Sequence, residues 1–317
     1  MKTRSITLYG PTLVFLAAAL WATDAPFRIH LTKELASNFI VFIEHAISCV
    51  VAIPVLLLNW KELKALSARE WLCSLFIGIG GSALAAVAFT QSFHYVNPSV
   101  SIVLQKIQPL IAIALAWWLL GERMHKNFWL WSALALFGAY LVSFPDLKPQ
   151  LYAGEVFNPN LIGAALALGA ASLWGASTVF GKYVLKTAAF QTLTSLRFVV
   201  GLVFLGVLSA LQHSFPAPGT MTELDWLFLF IVAITSGVFS LFLYYYGLQY
   251  TRASIATIAE LGFPLAAVFI NAHFIPDAQG VGPYFGLFAG QWLGTLLLLL
   301  AMLMLSRVNQ ESEGETG

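Results

Sequence analysis

Charge is scarce in this chain: 10% of its 317 residues are Asp, Glu, Lys or Arg, while 59% are apolar. With a mean hydropathy of +0.81, there is too little polar surface to cover a water-soluble body of this size. Cysteine is nearly absent. Cys49 and Cys73 both lie inside apolar runs, where they read as small buried hydrophobes rather than a disulfide or redox pair. The net charge of +1 comes with no basic block longer than a short loop, which argues against nucleic acid as a partner. There is no His-Glu-x-x-His, no Gly-x-Ser-x-Gly and no phosphate-binding P-loop, so zinc chemistry, a serine nucleophile and ATP-driven pumping find no support. Nothing calls for a metal or an organic cofactor, and the chain does not read as an enzyme.

What the chain has instead is long apolar runs. Ten segments, near 11–29, 38–58, 71–93, 98–120, 127–144, 160–181, 190–212, 226–248, 253–275 and 284–306, are each about long enough for a helix to cross a hydrocarbon core of about 30 Å. The runs are apolar all round rather than alternating, which disfavours a β-barrel. The expected class is an all-α membrane protein with ten transmembrane helices, and the lipid bilayer is its first partner. With the N-terminus placed inside, Lys2, Arg4, Lys61, Lys64, Arg69, Arg123, Lys126, Lys182, Lys186, Arg252 and Arg307 fall on the inner side. Only Arg28, Lys33 and Lys148 fall outside. That bias places both termini in the cytoplasm and the chain in the cytoplasmic membrane. A cleaved secretory signal is the competing reading of the first run, but cleavage near Ala22 would remove Trp21 and leave unmatched halves.

The chain also repeats itself. At an offset of 155 residues, Trp71, Leu72, Ile79, Tyr95, Ser99, Pro109, Leu110 and Ala112 recur as Trp226, Leu227, Ile234, Tyr250, Ser254, Pro264, Leu265 and Ala267. At 153, Leu20-Trp21 falls on Leu173-Trp174. A connection carrying Pro145, Pro149, Gly154 and Pro159 separates the copies. The expected division is 1–150 and 151–308, each a five-helix repeat, followed by a disordered acidic tail at 309–317. An odd number of spans inverts the second copy relative to the first, and two inverted repeats are the arrangement expected of a carrier that alternates access. A membrane scaffold built on the same bundle is the alternative.

The Leu-Trp pairs, the turn Tyr95-Val96-Asn97-Pro98 before a helix with Pro109, and the ending Leu120-Gly121-Glu122-Arg123 resemble the drug/metabolite transporter superfamily, in particular its EamA type. The resemblance covers nearly the whole chain. It implies a ten-helix bundle with a central cavity and export of amino acids, other metabolites or drugs. The second copy departs from it, having Phe274-Ile275-Pro276-Asp277 where a second Leu-Gly-Glu-Arg would stand.

Candidate site residues gather before the two shared prolines. Pro109 removes the hydrogen bond to the carbonyl of Gln105, and Pro264 removes that to Glu260. Freed carbonyls survive in a membrane only beside protein or a wet cavity. Thr257, Glu260 and Pro264 share one helix face, as Gln105 and Pro109 do in the first copy. Lys106 and Glu260 fall near mid-membrane, where a charge costs about 2.5–3.5 kcal/mol and demands a partner or a task; they can pair with each other or bind a zwitterionic solute. Trp21, Trp174, Tyr244, Tyr245 and Tyr246 offer aromatic walls with polar handles, although only one or two of the tyrosine run can point inward, with Tyr245 the candidate, and Gln91 offers a hydrogen-bonding amide. Asp24, four residues before Arg28, together with Glu44 and Arg197, are candidates for coupling or gating. Asp24 and Arg28 can neutralise each other; Glu44 and Arg197 can meet only through long side chains. The expected activity is export of a small amphipathic metabolite, an amino acid or a relative, driven by a substrate or proton gradient. Import or exchange of another organic solute is the alternative.

Overall fold

The computed structural model describes residues 2–92, 94–95, 104–105, 107–124, 126–143, 159–217, 219–274 and 289–314, and every regular element among them is helical. Two of the helices start in the same way, 155 positions apart. Ser67 and Glu70 form a capping box at the first, and Thr222 and Asp225 form one at the second. Each box satisfies backbone donors that the helix cannot bond itself.

The helices, in chain order, are α1 (Lys2–Trp21), α2 (Ala25–Leu31), α3 (Ser37–Leu58), α4 (Trp60–Ala65), α5 (Ala68–Ser92), α6 (Gln108–Leu120) and α7 (Lys126–Ser143). The later ones are α8 (Pro159–Val184), α9 (Phe190–Leu211), α10 (Glu223–Gln249), α11 (Ala253–Ala259), α12 (Gly262–Phe274) and α13 (Ala289–Gly314). Helices α3, α5, α8, α9 and α10 are long and apolar enough to cross a bilayer. The expected fourth, fifth, ninth and tenth spans contain shorter apolar helices, Gln108–Leu120, Asn127–Leu141, Ala253–Ala267 and Trp292–Leu305. Their outward faces keep Val50, Leu58, Trp118 and Leu211 more than two-thirds exposed, an apolar surface that only lipid or another apolar partner can cover.

Three expected boundaries shift. The first run is not one straight helix, because a 3-10 turn at Ala22–Asp24 separates α1 from α2. Expected span nine is divided into α11 and α12. The last helix extends to Gly314 and takes in most of the acidic stretch expected to be disordered; Gln310, Glu311 and Glu313 are strong helix formers.

Packing follows the repeat. Helix α3 packs on its mate α9, α6 on α11, and α7 on α13. Contact of α1 with α10 is answered by contact of α8 with α5. Where α1 crosses α10, small residues set the distance: a Cβ added at Gly247 would lie 2.9 Å from the carbonyl oxygen of Gly10. Val14, Ala17, Ile77, Phe198, Tyr244, Tyr245 and Leu248 form a buried core that draws on both halves.

Irregular backbone recurs as well. Helices α5 and α10 loosen into π turns at Ile77–Leu84 and Ala233–Phe239, and π turns expose carbonyls that a regular helix would use. Near the shared prolines the chain also breaks. Ile107 N donates to Leu104 O at 3.1 Å before α6 begins, and Leu261 N donates to Ile258 O at 3.1 Å between α11 and α12.

Candidate functional site

The break between α11 and α12 presents Glu260. The proline two residues into α12 cannot donate to the Glu260 carbonyl, which accepts from Phe263 N instead at 3.1 Å. The freed-carbonyl expectation for this residue therefore ends in a tighter turn. That turn aims the side chain at the centre of the bundle.

Three helices converge on the carboxylate. Gln108, at the first position of α6, donates from Nε2 to Glu260 Oε2 at 2.5 Å. Tyr244 of α10 donates its hydroxyl to Oε1 at 2.8 Å, and Thr178 of α8 reaches the same oxygen at 3.1 Å. The two hydroxyls lie 2.8 Å apart. Gly175 lets α8 come close here, since a Cβ on it would lie 3.0 Å from the carbonyl oxygen of Gln108. Trp21 lies over Tyr244 with ring centroids 5.3 Å apart. Glu260 as a residue nevertheless remains partly exposed.

A second polar group adjoins the first through the Tyr244 and Tyr245 rings, whose centroids are 5.2 Å apart. Arg197 donates from Nη1 to the Tyr245 hydroxyl at 3.0 Å, from Nε to Ser82 Oγ at 3.1 Å, and from Nη2 to the carbonyl of Gly81 at 3.1 Å. Gly81 and Ser82 belong to the π turn of α5. The buried imidazole of His45 lies between Ser82 Oγ and the carbonyl of Val41, at 2.8 Å from each.

The third group is ionic. Arg28 binds Asp24 Oδ2 through Nε and Nη2 at 3.0 and 2.9 Å, and its Nη2 lies 3.0 and 3.1 Å from the two oxygens of Glu44. The expected Asp24–Arg28 neutralisation is thus present, with Glu44 added to it. Glu44 and Arg197 do not pair: Glu44 bonds Arg28, while Arg197 bonds neutral acceptors.

The remaining candidates distribute as follows. Trp174 packs its ring on Phe89, 5.3 Å between centroids, and its carbonyl accepts from Thr178 at 3.3 Å. Tyr245 is fully buried and serves Arg197 rather than Glu260. Pro109 and Pro264 are buried in the first turns of α6 and α12. Thr257 is buried, and neither its hydroxyl nor Gln105 Oε1 has a hydrogen-bond partner among the described residues. Gln91 lies partly buried near the end of α5. Lys106 lies outside the described residues, so no pairing with Glu260 is described.

Sequence reasoning missed Gln108, Thr178 and Tyr244 as ligands of Glu260. Two carried a usable signal: Gln108 directly precedes a shared proline, and Thr178 lies one helical turn after Trp174 on the same face. Choosing Tyr244 over Tyr245 required the rotation of α10.

Comparison with known proteins adds to this geometry. The profile of the EamA-like transporter family matches residues 8–144 and again 161–307. The chain is 31% identical over 314 residues to the riboflavin transporter ImpX of Fusobacterium nucleatum, covering 95% of this chain and 98% of that one. It is 22% identical to the uncharacterized transporter YetK of Bacillus subtilis, over 86% of this chain and 85% of that one. A crystal structure 14% identical in sequence superposes with a TM-score of 0.71, covering 95% of this chain and 98% of its own, and so shares the fold.

Proposed function

Because the chain belongs to the EamA-like transporter family, and is therefore a multi-pass membrane transporter, we propose that it carries a small organic solute by alternating access about Glu260. One observation carries this reading. The carboxylate of Glu260 stands at a helix break and is gripped by donors from both halves, through Gln108 of the first and Thr178 and Tyr244 of the second. Any rocking of one half on the other must change the Gln108 bond, the one of the three that joins the halves. A solute that exchanges for it in one state and not the other biases the two-state equilibrium, which is the requirement for coupling. The halves are read as inverted repeats, 1–150 and 151–308, in the cytoplasmic membrane. The reciprocal packing of α1 on α10 and α8 on α5 supports that symmetry.

The described groups around Glu260 are aromatic or neutral and polar: Trp21, Tyr244, Gln108 and Thr178. They suit a flat heteroaromatic solute that stacks on a ring and exchanges hydrogen bonds with amide and hydroxyl groups. The full-length similarity to a riboflavin transporter supports that class. A second reading, export of an amino acid, is favoured by Lys106, which stands next to the repeat-mate of Glu260 and supplies the opposite charge for a zwitterion.

Proteoliposomes loaded with labelled riboflavin, or with a panel of labelled amino acids, separate the readings. Saturable riboflavin flux that is lost in Glu260→Gln supports the first. Amino-acid flux that is lost in both Lys106→Ala and Glu260→Gln supports the second. Flux indistinguishable from the parent in both variants defeats the site assignment. Comparing outward and inward gradients gives the direction, and imposing a pH gradient tests protons as the coupling ion.

A further inference from the structure

At one end of the bundle the first half reaches across and caps the helices of the second. Helix α9 begins after Ala189 and α11 after Arg252, and neither residue caps its helix with its side chain. Carboxylates from the other half do so. Glu62 Oε2 accepts from Ala189 N at 3.1 Å and from Thr192 Oγ1 at 2.7 Å. Glu122 takes Ala253 N on one oxygen at 2.8 Å. On the other it takes Ser254 N at 3.1 Å and Ser254 Oγ at 2.6 Å. Glu70, whose second oxygen closes its own capping box, also accepts from Thr187. An anion at a helix N-terminus gains from the unpaired N–H groups and from the helix dipole together.

The opposite end is held differently among the described residues: His30 Nε2 of the first half lies 3.3 Å from Asp225 Oδ1 in the first turn of α10. There, Asn38 of α3 also meets the segment that follows α9 through neutral groups, its Nδ2 donating to Gln212 Oε1 at 3.0 Å and to Ser214 Oγ at 2.8 Å. At the 155-residue offset Glu62 falls on Ala217, which has no carboxylate, whereas Glu70 falls on Asp225 and Glu122 on Asp277, the last outside the described residues. The charge count of the loops makes the latched end the cytoplasmic one.

We infer that Glu62 and Glu122 are the latch of this end, and that Glu122 also positions Glu260, because the two stand at opposite ends of the short helix α11. Opening this end requires both carboxylates, and Glu70 with its bond to Thr187, to leave the second half. When Glu122 lets go, α11 is free to swing, and the carboxylate at its far end moves with it. The coupling to Glu260 rests on the proposed role of that residue; the latch itself does not.

Maleimide labelling of the full chain in lipid nanodiscs tests this, in a background where Cys49 and Cys73 are alanine. The reporter is Thr257→Cys, buried one turn inside the latch; the control is Thr235→Cys, in the π turn of α10. Glu122→Gln, and separately Glu62→Gln, should raise labelling at 257 about ten-fold, as expected from losing a charge-assisted bond, and leave 235 unchanged. Ser254→Ala, which keeps the carboxylate and both backbone donors, should give a smaller rise in the same direction. Unchanged labelling at 257, or an equal rise at 235, overturns the latch. Glu260→Gln separates the two claims. If it abolishes flux while Glu122→Gln leaves labelling unchanged, the site stands and the latch fails; if it transports normally while Glu122→Gln opens residue 257, the reverse holds.

Discussion

A carboxylate inside an apolar bundle needs donors, and Glu260 has three from three helices. Each hydrogen bond to a charged group is worth about 1.5–3 kcal/mol. Glu260→Gln keeps the shape and removes the charge, so the expected outcome is a folded protein whose solute flux falls by about 10- to 100-fold. Initial rates in proteoliposomes, measured beside the unfolding temperature in detergent, check both halves of that statement. Arg28 allows a sharper stability prediction. Among the described residues it is the one cation paired with Asp24 and Glu44, so Arg28→Leu leaves the two carboxylates without it. Removing one member of such a buried set costs about 3–5 kcal/mol. A large drop in unfolding temperature is expected, and Asp24→Asn in the Arg28→Leu background should recover part of it by removing one of the two charges.

Among the elements, the broken helices and π turns supply the proposed site. Pro264 keeps α12 from joining α11. Pro264→Ala supplies an N–H four residues after Glu260 and lets a continuous helix form there. The expected result is higher thermal stability with lower flux, because a straight helix no longer aims Glu260 at Gln108. Parallel unfolding and transport measurements test it, and a variant that gains flux as it stabilises would count against the break having a role. The prolines and the recurrence of their surroundings were legible in the sequence. The π turns were not, since Ile77–Leu84 and Ala233–Phe239 contain no proline and read as ordinary apolar helix. Arg197 depends on that irregularity, for the Gly81 carbonyl it binds becomes available only where the helix loosens.

On the scale of the whole molecule, two similar halves share one core, and α1 and α8 each pack against helices of the opposite half. The proposed five spans in each half would place both termini on one face of the membrane. Tags at residues 2 and 317 should therefore be shielded together in intact cells and labelled together once the membrane is permeabilised. Tags on opposite faces would remove the inverted symmetry on which alternating access depends.

Hydrophobic length, loop charge and a 155-residue period by themselves determined that this chain is a duplicated helical membrane protein of the transporter type. Those properties are local or periodic, and they persist whatever the helices pack against. Which tyrosine meets Glu260, which half caps which helix, and that Arg28 rather than Arg197 takes Glu44 were decided only by tertiary structure. Each of those outcomes depends on helix rotation and crossing, which arise from contacts between residues more than a hundred positions apart, as between Gln108 and Glu260.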